Sequence, residues 1–157
     1  MTTQRWLGSV LFLAACGGGT SAPDSAQPVA SAKGAVLSFM QAVADSNLDR
    51  MASLWGTANG PASKTNVPPD YRRRIAVMHA YLRSRSFRIT SDQPQATENR
   101  RAIQVELKRD TCTWSVPFVA IKTVDGTWLV TQVDLAAAGN PARPCVNPAS
   151  VDTADQG

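Results

Sequence analysis

The apolar residues of this chain change period once, close to Arg85, and that change does most to restrict the fold. Before it they recur at helical spacing: Val36, Phe39, Met40 and Val43, then Leu48, Met51, Ala52 and Trp55, then Tyr71, Ile75, Met78 and Leu82. After it they alternate. Phe87 and Ile89 form one short set, Ile103, Val105 and Leu107 interleave with Gln104, Glu106 and Lys108, and Cys112, Trp114, Val116 and Phe118 follow. The spacing predicts a helix over Lys33 to Ser46, a second short helix capped by Asn47, and a third from Tyr71 to about Arg85 capped by Asp70. Gly56 to Pro69, rich in Gly, Pro, Ser and Asn, reads as a loop. Four strands are predicted: one ending near Asp92-Gln93-Pro94, one over Ile103 to Lys108, one from Cys112 to Lys122, and one over Thr127 to Leu135 after the Asp125-Gly126 turn. Pro117 has no N–H to give a ladder, so it predicts an edge position or a bulge in its strand. Helices first and strands after imply an α+β fold, with the N-terminal helices packed on one face of a curved antiparallel sheet.

The amino terminus does not belong to that pattern. Arg5 precedes an apolar stretch from Trp6 to Ala15, which is too short for the ~20 residues of a spanning helix. Leu13-Ala14-Ala15-Cys16 resembles a bacterial lipobox, in which the cysteine is acylated and becomes the first mature residue. That resemblance implies a signal peptide over 1–15 and a membrane anchor at Cys16, because several acyl chains together hold a protein on a bilayer. Gly17-Gly18-Gly19 would end any helix that tried to bury Cys16 in a core. The stretch 16–31 has almost nothing apolar to offset its ordering entropy and reads as a flexible tether. The resemblance places the protein in the bacterial cell envelope, facing the periplasm or exterior. Gly17, where inner-membrane retention would ask for Asp, favours the outer membrane of a double-membraned cell.

The folded part, 32–146, resembles the nuclear transport factor 2-like family, whose cystatin-like cone sets helices against a bent sheet. The resemblance rests on the helix Lys33 to Ser46, the segment LDRMASLW and the terminal VDGTWLVTQVDL, and is similar to small lipidated bacterial members. It implies a cone cavity, and pairing of two copies through the sheet face is a habit of the family. Ketosteroid-isomerase- and cyclase-like members use an acidic base with a Tyr or Asp donor. Asp134, Tyr71 and Tyr81 are chemically suitable here but align with no motif of that kind.

With Cys16 taken as anchor, Cys112 and Cys145 remain, an even pair that predicts one disulfide in an exported protein. The alternative, a metal-binding or reactive pair, lacks partners: there is a single His and no CxxC. That His79 lies at the flank of the third helix's apolar stripe, with no carboxylate nearby in sequence to orient it, and reads as a boundary residue. No phosphate loop, Ser-His-Asp set or metal cluster is written in the chain, so no cofactor is expected. Trp55, Tyr71, Trp114 and Trp128 are candidates to line a pocket, with plain core packing as the alternative. The net charge is +4, and it is uneven: Arg72 to Arg109 carries ten basic residues against three acidic ones. Arg72, Arg73, Arg74 and Arg83 are the candidate basic surface; the first three occupy a helix's first turn, where cations oppose its dipole. Basic charge without interleaved aromatics, in an exported protein, does not point to nucleic acid. The expectation is a lipid-anchored envelope protein whose domain binds a small apolar ligand or another envelope protein, the alternative being an isomerase- or cyclase-like enzyme.

Overall fold

Helix α1 (Ala32–Ala44) starts where the Ser31 hydroxyl accepts a hydrogen bond from the Gly34 N–H at 3.0 Å, satisfying one donor of the first turn. The computed structural model describes residues 29–143 and Cys145, so the expected signal peptide, the anchor Cys16, most of the tether and the tail 147–157 lie outside the described residues. The packed domain nevertheless reaches back into the segment read as tether. Val29 packs against the core, and its carbonyl accepts the Trp128 N–H at 2.9 Å. At the far end of α1, Ser46 takes a left-handed turn (φ 54°), and Asn47 caps α2 (Leu48–Leu54) by accepting the Arg50 N–H at 2.9 Å.

The segment expected to be a loop is more ordered than its composition suggests. It contains a small hairpin, β1 (Gly56–Thr57) and β2 (Gly60–Pro61), followed by a single helical turn, α3 (Ala62–Thr65). Gly56 permits this, because a Cβ there would stand 2.9 Å from the Pro61 Cα. Helix α4 (Tyr71–Leu82) is shorter than expected. The chain extends at Arg83, and the Arg85 N–H is already bonded to the Lys108 carbonyl at 2.9 Å, which leads directly into the sheet.

Strands β3 (Ser86–Pro94), β4 (Arg100–Arg109), β5 (Cys112–Lys122) and β6 (Trp128–Val133) form one antiparallel meander in that order. The fold is therefore α+β, helices followed by a four-stranded antiparallel sheet. Ile103, Val105, Leu107, Val116, Phe118 and Ala120 turn one face to the helices, and all are buried. Helix α1 crosses that face, bringing Val36, Phe39, Met40 and Val43 onto β5 and β6, with α2 packed between α1 and α4. The other face is polar. Arg88 grips Glu106 with two hydrogen bonds (2.6 and 2.9 Å), and Ser115 donates to Gln104 at 3.2 Å. The hydrogen bond from Arg88 holds the Glu106 carboxyl below the usual carboxylate range.

Pro117 lies outside the bulge, at a locally unpaired edge of β5 before the β5–β6 ladder begins. Its carbonyl accepts the Asp134 N–H at 2.9 Å, just past the end of β6, so its missing donor faces the point where the β5–β6 ladder stops. Strand β5 is an inner strand as far as Phe118 and a local edge before it. The ladder does shift register beside it, between Val119 and Ala120, which leaves Thr131 of β6 without a partner.

Candidate functional site

That unpaired Thr131 opens onto a cleft of about 390 Å³ between β6 and α4. One wall comes from the helix. Asp70, Arg73, Arg74, Val77 and Met78 follow i, i+3, i+4, i+7 and i+8 spacing and so share one face. Tyr71, Ile75 and Leu82, with Met78 common to both stripes, fill the core instead. The opposite wall is the free side of β6, Thr131, Gln132 and Val133, continued by Leu135. Strand β6 lies at the sheet edge, and Trp55 covers part of that edge by bridging its backbone to Val130. The Trp55 side chain also lines the cleft.

The polar groups differ in what already holds them. Asp70 gives the helix no side-chain cap; its carboxylate instead takes the Arg74 Nε at 3.0 and 3.1 Å. Among the described residues, the Arg73 guanidinium, the Thr131 hydroxyl and the Gln132 amide have no hydrogen-bond or ion-pair partner. The cleft thus combines an apolar lining, one neutralised ion pair, one free cation and two free neutral polar groups. Its volume is at the small end of the range for small-molecule sites.

Of the aromatic residues proposed from sequence, only Trp55 belongs to these walls. Tyr71 and Trp128 are core residues, 8% and 9% exposed. Trp114 lies outside the cleft walls, and the Arg109 guanidinium stands 4.4 Å from its ring centroid. Arg109 also donates to the Ala138 carbonyl in the 3-10 turn Ala136–Ala138, and its burial lowers its affinity for a proton. The arginines separate in a similar way. Arg73 and Arg74 line the cleft, Arg72 sits 5.5 Å from the Tyr71 ring centroid, and Arg83 is exposed beyond the other end of α4. The contribution of β6 was missed in the sequence, because Thr131 and Gln132 read there as ordinary strand positions. The Asp70-to-Met78 spacing was a detectable signal, hidden behind the stronger apolar stripe.

His79 bonds through Nε2 to the Ser46 hydroxyl at 3.2 Å, tying α4 to the α1–α2 turn and lying outside the cleft walls. Asp134 accepts the Ala136 and Ala137 N–H groups at 3.1 and 3.3 Å and so caps the 3-10 turn. Cys112 and Cys145 stand with their Cα atoms 6.0 Å apart, within disulfide range. Among the described residues no acidic, His or Cys group is arranged to hold a metal ion, and no helix is long and apolar enough to cross a membrane. Comparison with protein-family models, with the curated proteins and with the solved structures finds no match to this chain.

Proposed function

We propose that the protein is an acyl-anchored domain of the bacterial cell envelope, of the nuclear transport factor 2-like kind, whose α4–β6 cleft binds a small, largely apolar ligand without transforming it. The cleft carries this reading: Trp55, Val77, Met78, Val133 and Leu135 give it an apolar surface, and its single carboxylate, Asp70, is engaged by Arg74. A general base needs a proton acceptor free to reach substrate. Asp134, Tyr71 and Tyr81, the residues suited to isomerase chemistry, stand outside the cleft walls, and Asp134 is occupied as a cap. The family likeness draws support from the order of helices before a meander. It draws more from the register shifts at Ile89/Ser91 and Val119/Ala120, since bulges bend strands as a cone requires. The anchor reading rests on Leu13-Ala14-Ala15-Cys16.

A neutral apolar dye such as Nile red tests the binding function. Purified protein should take it up with a blue-shifted emission, and Val77→Arg should abolish uptake. Val77 is 42% exposed, so the substitution places a charge in the cleft with little effect on the core. Uptake that survives Val77→Arg would place the dye elsewhere and remove this cleft from the proposal.

A further inference from the structure

We infer that the cleft selects amphiphiles with a single carboxylate head, and that Arg73 receives the head. The inference rests on the cleft being the binding site and adds the chemical class of what enters it. Arg73 and Arg74 are neighbours in sequence and line the same space, yet only one charge is left to act. The Arg74 Nε–H is shared between both oxygens of the Asp70 carboxylate, while Arg73 has no partner among the described residues. A guanidinium presents paired N–H donors whose fork matches a carboxylate, which it binds with charge-assisted bonds. One uncompensated positive charge beside a fixed Asp70 suits a monoanion. A phosphate dianion would bring a second charge for which the neutralised Asp70–Arg74 pair leaves no free cation, and a cationic head would meet Arg73 directly.

The remaining walls specify the body of the ligand. Trp55, Val77 and Met78 give an apolar surface behind the charged residues, so a chain or ring entering head-out would be desolvated there while its head stayed at the mouth. Exposed Arg73 lies at the wet side of the site, and Met78, 5% exposed, at the dry side. Across from the helix, Thr131 and Gln132 offer a hydroxyl and an amide with no internal partners. They are placed to take a second polar atom of the ligand, such as a hydroxyl or the other carboxylate oxygen.

The probes are decanoate and 1-decanol, matched in chain length and used below their aggregation concentrations to displace Nile red from the full chain. Decanoate should bind about tenfold more tightly than decanol, as expected of one charge-assisted interaction at a partly exposed site. Arg73→Gln should remove that preference, leaving decanol within twofold, and Arg73→Lys should restore part of it. Added salt should weaken decanoate alone. Equal affinity for the two probes, or a decanoate preference unchanged in Arg73→Gln, would overturn the selectivity while leaving the cleft as the binding site. If the dye binds and Val77→Arg does not affect it, the cleft itself is refuted, and the assignment of Arg73 goes with it.

Discussion

Gly139 has φ +69° and ψ 170°, a region nearly closed to residues with a side chain, and a Cβ there would stand 2.5 Å from the Trp114 Nε1. The same few residues hold Arg109 over Trp114 with its Nε buried and unpartnered, so the corner has no slack for a methyl group. Gly139→Ala should therefore cost about 1–3 kcal/mol, read as a lowered midpoint in chemical denaturation. Asp125 shows a second single-residue effect. The buried Thr123 hydroxyl donates to its carboxylate, and the Thr127 N–H adds a longer bond of 3.4 Å, which together hold the Asp125 carboxyl below its ordinary range. The folded carboxylate thus gives up its proton more readily than the unfolded one. Its contribution is complete above the unfolded pKa and fades as pH falls through the folded value. A carboxyl-carbon NMR titration should place Asp125 below an unfolded Asp, and Thr123→Val should move it back up.

At the scale of elements, α1 determines how the two layers meet. Phe39 is fully buried and meets Phe118 of β5 edge-to-face, with centroids 6.4 Å apart. Phe39→Ala should remove about 3–5 kcal/mol of stability, the usual range for a large aromatic truncated in a core. That contact was half legible in advance: the period of Val36, Phe39, Met40 and Val43 predicts the buried stripe, but nothing local says which strand receives it. The same division runs through the rest of the molecule. Asn47 and Asp70 mark helix starts within a residue, because caps are local chemistry, although Asp70 serves Arg74 rather than the helix. The hairpin at Gly56–Pro61 went unread because its strands are two residues each, too short to show a period. Pro117 was legible as an edge position or a bulge, and where β6 ends decides for the edge. The cleft was the least legible feature. It arises where a bulge in one element faces the secondary stripe of another, and two distant segments must be paired before either signal has meaning.

For the molecule as a whole, the open question is how its three cysteines divide the work. Cys112 opens β5 and Cys145 follows the 3-10 turn, so a bond between them closes a loop of 33 positions holding β5, β6 and the Gly139 corner. Chain-entropy estimates give such a loop roughly 4 kcal/mol, and the Cys112→Ala/Cys145→Ala pair should lose stability on that order while keeping the core that α1 organises. Cys16 carries no such structural duty in the proposal. A sequence rich in Gly, Ser, Ala and Pro separates it from Val29, where packing begins among the described residues. Address and fold should therefore separate cleanly. Cys16→Ser should abolish incorporation of labelled palmitate and release the protein from sedimented membranes, while leaving the melting temperature and Nile red uptake unchanged. The reciprocal change, Val77→Arg, should empty the cleft and leave membrane retention intact. If Cys16→Ser protein still sediments with membranes and the wild-type chain itself takes up no label, something other than an acyl chain holds it there. The anchor would then fall, and the spare thiol would compete with Cys112 and Cys145 for oxidation, giving mixed disulfides on a non-reducing gel of the wild-type chain.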